Sequence, residues 1–241
     1  MGISVPPPQL TSHAQNVECD FCEFKVIDGS IEGNFIVRDE LILKTKSGAI
    51  DANITMISNA TGANSGPIVD ITTTTGSINI DFTLVAVDPE TEEKVTSGGF
   101  YRITTRSRHA PLHLEIVDAP VDSILDLTSK NVWGPLKVLL DPTYQGWFRS
   151  EAFIGDTALG LIDGAVDPSG NGKKRKLLWN RWSIPPGVEN VLSGEVWWGD
   201  RRQPTSSDNQ TTSSVRLKTI IGQPLVFVPV SAPNVTHSSA D

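Results

Sequence analysis

Apolar and polar residues alternate one for one along much of the chain. Ile78, Ile80, Phe82 and Leu84 are separated by Asn79, Asp81 and Thr83, and Leu112, Leu114 and Ile116 by His113 and Glu115. Successive side chains of a strand leave opposite faces, so this period of two puts one face in a core and the other in water. No segment keeps a helical period for three turns, because β-branched residues, Gly and Pro interrupt every candidate. Only 156–163 (DTALGLID) allows a single helical turn. The pattern predicts an all-β fold with almost no helix.

The alternating segments recur as a unit. Residues 41–56 (LILKTKSGAIDANITM) and 69–85 (VDITTTTGSINIDFTLV) superpose with Thr45 on Thr73, Gly48 on Gly76 and Ile50 on Ile78. Looser copies run over 101–116, 124–140 and 215–228, with corners at Ala110-Pro111, Gly134-Pro135 and Gly222-Gln223-Pro224. In each, a strand reaches a Thr/Ser corner, a Gly turns the chain or a Pro opens the next strand, and a second strand leaves. The spacing between copies is irregular, so a β-solenoid-like stack and a β-sandwich of repeated hairpins both fit. Residues 17–230 read as one repeat domain between tails at 1–16 and 231–241 that are rich in Pro, Ser, Thr and Asn. Residues 203–214 read as a flexible loop.

Composition narrows the function. With 241 residues the chain can bury a full core without metal or disulfide staples. A net charge of −8 argues against nucleic acid as the partner. No apolar run approaches the roughly 18–20 residues of a membrane span. Residues 1–10 (MGISVPPPQL) show no basic segment followed by an apolar one, so no secretory leader is expected and the cytoplasm is the default location. The sequons at Asn53, Asn59, Asn209 and Asn234 then read as chance matches.

Metal and redox chemistry find little support. Cys19 and Cys22 lie between Glu18 and Glu23, which discourages thiolate formation, and Phe21, Phe24 and Val26 suggest a strand. The pair reads as reduced or incidentally bonded. His109 and His113 would stand roughly 13 Å apart on a strand, too far to share a metal. Residues 167–172 (DPSGNG) open like a calcium loop, but Leu178 stands where the bidentate Glu is needed, and four cations follow. No metal or cofactor is implied, and no nucleophile elbow or protease cysteine appears.

Two clusters remain. Lys173, Lys174, Arg175 and Lys176 form either an anion patch or the solvated tip of a hairpin, and the tip is the expectation. All six tryptophans (Trp133, Trp147, Trp179, Trp182, Trp197 and Trp198) fall in the second half. Neighbours on a strand face opposite ways, so Trp197 and Trp198 cannot both enter one core. Trp179, Trp182, Trp197, Trp198 and Arg201 are therefore the candidate sugar-stacking or partner-binding surface, unless a loop over 179–190 buries the rings.

Several motifs together resemble a family of uncharacterised adhesin-like fungal proteins of mushroom-forming species. They are 29–35 (GSIEGNF), 109–113 (HAPLH) with 118–120 (DAP), 141–146 (DPTYQG), 167–170 (DPSG) and 196–199 (VWWG). The resemblance spans roughly residues 25–230. It implies an all-β repeat domain with no established activity and carries over no catalytic residue. The leading expectation is a non-catalytic binding or structural module with a carbohydrate or protein partner. An enzyme with a cleft near 179–203, or self-association through a free sheet edge, are the alternatives.

Overall fold

The computed structural model describes residues 12–61, 65–184, 189–200, 212–231 and 235–237. In chain order the strands are β1 (Ser12–Asp28), β2 (Ile31–Ser47), β3 (Ile50–Asn59), β4 (Ile68–Thr73), β5 (Ile78–Val87) and β6 (Lys94–Val95). Then come β7 (Phe100–Ser107), β8 (Leu112–Asp118), β9 (Ile124–Trp133), β10 (Leu136–Leu139), β11 (Gly146–Ile154) and β12 (Ala158–Asp163). The last are β13 (Arg175–Ile184), β14 (Glu189–Trp198), β15 (Ser213–Ile221), β16 (Pro224–Val230) and β17 (Val235–His237). The fold is all-β, with no helix among the described residues.

Strand direction decides between stack and sandwich. Hairpins would pair sequence neighbours antiparallel, whereas here β3 pairs in parallel with β5, β5 with β8, and β8 with β10. Each coil of the chain adds one strand to each of two sheets, the arrangement of a two-sided β-solenoid. Sheet A runs from the first halves of β1 and β2 through β3, β5, β8, β10 and β16 to β12. Sheet B runs from the second halves of β1 and β2 through β4, β7, β9, β15 and β11. An antiparallel pair, β14 and β13, extends sheet B, and β17 lies along β13.

The alternation read from the sequence sets the facing. Ile50, Ile78, Leu112 and Leu136 stand in register on the inner side of sheet A, and Leu41, Val69, Ile103, Leu127 and Val215 on that of sheet B, all buried. Register is strongly held because a slip of one residue would turn every apolar side chain outward.

The corners between the two strands of a coil form a column of their own. Thr45 Oγ1 donates to the Gly29 carbonyl (3.0 Å), Thr73 Oγ1 to that of Gly48 (3.4 Å) and Asn131 Nδ2 to that of Ala110 (2.9 Å). These buried polar residues cap corner carbonyls that lack a ladder partner, which is why the repeat carries Thr, Ser or Asn there. At Gly48 (φ +149°) a Cβ would lie 2.0 Å from the Gly29 oxygen, so the coils stack closely only because that side chain is missing.

One coil is out of order. β15 lies between β9 and β11, and β16 between β10 and β12, parallel to both neighbours in each case. The corner amides agree: Gly134 N–H donates to Ile221 O and Gly222 N–H to Ile154 O, both at 3.0 Å. The chain passes from β9–β10 to β11–β12 leaving a gap one coil wide, folds the β13–β14 pair, and returns to fill the gap with 213–230. The insertion, together with unequal loops on the side opposite the corners, accounts for the irregular repeat.

Several expectations change. Residues 158–163 form β12 rather than a helical turn, because they pair along β16 with Leu159 opposite Val226. The tails are shorter than the composition suggests: β1 begins at Ser12, within the expected 1–16 tail, and β17 lies inside 231–241. Ser213 and Ser214, placed in a loop, are buried in β15, while 201–211 fall outside the described residues. Cys19 and Cys22 are joined as a disulfide, where β1 shifts register on passing from sheet A to sheet B.

Gly48→Ala is expected to lower stability by about 2–4 kcal/mol in urea unfolding, because neither the backbone angle nor the space accepts a methyl group. A chain ending at Gly199 lacks the inserted coil. Hydrogen exchange on it is expected to show β11–β14 unprotected while β3–β8 stay protected.

Candidate functional site

The outer face of sheet B, over its last strands, gathers the side chains with chemical potential. Because coils stack in register, outward residues form rows across the strands. One row is Asp126, Ser214, Trp147, Glu195 and Leu178; the next is Thr128, Arg216, Arg149, Ser193 and Asn180; the third is Lys130, Lys218, Glu151, Val191 and Trp182. Residues in a row stand roughly 4.8 Å apart, so five strands span about 19 Å.

Two shallow depressions lie side by side here. The first, about 340 Å3, sits over β9, β15 and β11 and is lined by Thr128, Lys130, Arg149, Glu151, Arg216 and Lys218. The second, about 350 Å3, sits over β11, β14 and β13 and is lined by Trp147, Leu178, Asn180, Ser193 and Glu195. The Arg216 guanidinium lies 5.0 Å from the centroid of Trp147, covering one side of that ring. Glu151 accepts from Lys218 Nζ at 2.9 Å and from Arg149 Nε. Burial opposes ionisation of its carboxyl, but the Lys218 and Arg149 contacts outweigh this and hold it below the ordinary glutamate value.

Strand alternation divides the predicted aromatic set. Trp198 faces inward and is buried, its Nε1 donating to Pro142 O at 3.0 Å. Trp179 also faces inward and packs on the core. Trp197 and Trp182 lie on the outer face, Trp197 half-buried and Trp182 open to solvent. Arg201 lies outside the described residues. The stretch 179–184 is strand, not a loop folded over the sheet.

Alternation also breaks up the basic run, which is not a hairpin tip: β12 and β13 belong to different sheets. Lys173 and Lys174 are exposed, and Lys176 reaches Asp200 at 3.0 Å. Arg175 turns inward and is buried. Its guanidinium donates to the carbonyls of Pro142 and Tyr144 and stacks 5.3 Å from the Trp198 ring centroid. Burial lowers its pKa to about 10, against the pull of Asp141 and Tyr144. Arg175 therefore ties the 140–145 loop to the β13–β14 pair, and the four cations form no single patch. Asp167 is likewise spent on its own loop, accepting from Ser169 N–H (3.0 Å) and Lys173 N–H (2.9 Å). His109 stacks beside Trp133, with ring centroids 6.4 Å apart.

The residues of the first depression were missed by sequence reasoning, since they come from three coils whose spatial order is not their chain order. The signal present was the outward triplets Arg149-Ser150-Glu151 and Arg216-Leu217-Lys218, each a pair of charges about a buried residue. No family model matches the chain, and neither does any curated protein or solved structure.

Arg175→Ala is expected to cost about 3–5 kcal/mol and to red-shift the fluorescence of Trp198, while Lys173→Ala and Lys174→Ala stay within about 0.5 kcal/mol of wild type. Glu151, with its pKa depressed by folding, adds stability that is complete above the unfolded value and lost as pH falls through the folded one. In thermal melts against pH, the gap between wild type and Glu151→Gln is expected to be widest at neutral pH and to close below about pH 4.

Proposed function

We propose that the chain is a non-catalytic, adhesin-like binding module that takes carbohydrate on the outer face of sheet B. The observation that supports this most is the pairing of aromatic rings with hydrogen-bonding side chains on one open face. Trp147, Trp182 and Trp197 stand among Asn180, Ser193, Glu195 and Arg149, with no strand packed over them among the described residues. Sugar rings offer apolar C–H faces and hydroxyl rims, so such a face satisfies both. Residues 179–184 and 189–198 build an extension of the sheet face rather than a deep cleft, the shape of a binder more than of an enzyme.

A protein partner is the second reading, favoured by an apolar strip along the nearby corners. Trp133, Phe153, Ile154 and Ile220 are 50%, 48%, 52% and 44% exposed, and Trp133 and Ile154 both flank Ile221 in register. A contiguous apolar patch of this kind marks a contact surface when it is large.

Titration with a panel of oligosaccharides, followed by tryptophan fluorescence, separates the two. The carbohydrate reading predicts a saturable change that weakens at least about tenfold in Trp182→Ala and is untouched in Trp133→Ala. No change with any sugar would contradict it.

A further inference from the structure

The chain carries a net charge of −8, yet the first depression on sheet B is positive. Lys130, Arg149, Arg216 and Lys218 line it against the single carboxylate of Glu151. Local pairing does not cancel this excess. Arg149 and Lys218 share Glu151, while Arg216 shares Asp126 with Arg102, at 3.7 and 3.5 Å. Each carboxylate is shared between two cations, and Lys130, between them on β9, is exposed with no ion-pair partner among the described residues. Four cationic side chains against one carboxylate thus line a hollow whose floor includes Thr128 and Leu217.

Taking the sugar-binding reading as its basis, we infer that the ligand is an acidic polysaccharide, with a sugar carboxylate seated among Lys130, Arg216 and Lys218. The chain would run across the strands from β9 toward β13, continuing into the second depression along Arg149, Ser193 and Asn180 to Trp182. A linear polyuronate carries one carboxylate per sugar, a repeat of the same order as the strand spacing, so successive acid groups meet successive coils. Interspersed Asp126 and Glu151 keep the cations extended and oriented. They also set this face against the denser phosphate charge of a nucleic acid, which a binding surface usually meets with an unbroken basic patch. Arg and Lys differ in use: Arg216 offers a planar fork for a carboxylate beside the Trp147 ring, and Lys130 a mobile point charge.

The test uses the full chain, titrated calorimetrically with an oligogalacturonate, a neutral cello-oligosaccharide of equal length, and single-stranded DNA, at low and high salt. The inference predicts binding of the oligogalacturonate that exceeds the neutral sugar by about tenfold or more and weakens with salt. Lys130→Gln, on an exposed side chain, should remove about tenfold of that affinity without changing the circular dichroism spectrum or the affinity for the neutral sugar. Arg216→Gln should likewise remove about tenfold of the oligogalacturonate affinity. Equal affinity for neutral and acidic sugars, or an acidic preference that survives both substitutions, overturns the inference and leaves the carbohydrate reading standing. Binding of neither sugar, or of DNA alone, overturns both.

Discussion

The backbone ladder of stacked coils is the constraint on which everything else rests. In a two-sided parallel solenoid, each strand must find its hydrogen bonds in the coil before it and the coil after it, in register, or leave buried polar groups unpaired. That demand fixes the strict apolar alternation, since both sheets face one narrow core. It also fixes the chemistry of the corner, where the chain turns tightly enough for carbonyls of adjacent coils to approach. Thr45, Thr73, Ser107, Asn131 and Thr219 occupy one in-register column beside those corners, and each hydrogen-bonds a corner carbonyl. A polar column inside an apolar core is tolerated because each member reaches a corner carbonyl, in the neighbouring coil for Thr45, Thr73 and Asn131 and in its own for Ser107 and Thr219.

The same ladder explains how the binding face arises. Register copies the position of each outward residue from coil to coil, so side chains distant in sequence become neighbours in a row. Lys130, Lys218 and Glu151 come from three segments, and the inserted coil alone brings the middle one between the others. Without 213–230 the two cation trios would lose Arg216 and Lys218, and the first depression would not exist. Binding chemistry and chain order are therefore coupled: the coil over 213–230, made after both of its neighbours, completes the core and the surface over it.

How much of this is legible in the sequence follows from what is local. The alternation at Ile78–Leu84 and Leu112–Ile116 reports facing directly, and the Thr-x-x-Gly corners report the repeat, so the all-β repeat class is visible without a structure. The argument that Trp197 and Trp198 must part company is also local, and the two rings do lie on opposite faces. Alternation applies equally to Lys173–Lys176, where it turns Arg175 inward between outward neighbours. The copy over β11–β12 is faint in the sequence because its corner, Gly155, is followed by Asp156 and Thr157 rather than by a hydrophobic strand start. Spatial order of coils is a non-local property, set by which edges meet, and nothing in residues 213–230 announces that they enter between two earlier coils.

The inserted coil is tested most directly by engineered cross-links across the three strands. Lys130 and Lys218 stand opposite each other on adjacent strands, whereas Lys130 and Glu151 are separated by β15. Adjacent positions are about 5 Å apart and the separated ones about 10 Å, beyond the reach of a disulfide. Lys130→Cys with Lys218→Cys should oxidise to a bridged, folded protein, with mass spectrometry locating the bond. Lys130→Cys with Glu151→Cys should remain unbridged under the same conditions. A bridge in the second pair and none in the first would place β9 directly against β11 and contradict the account.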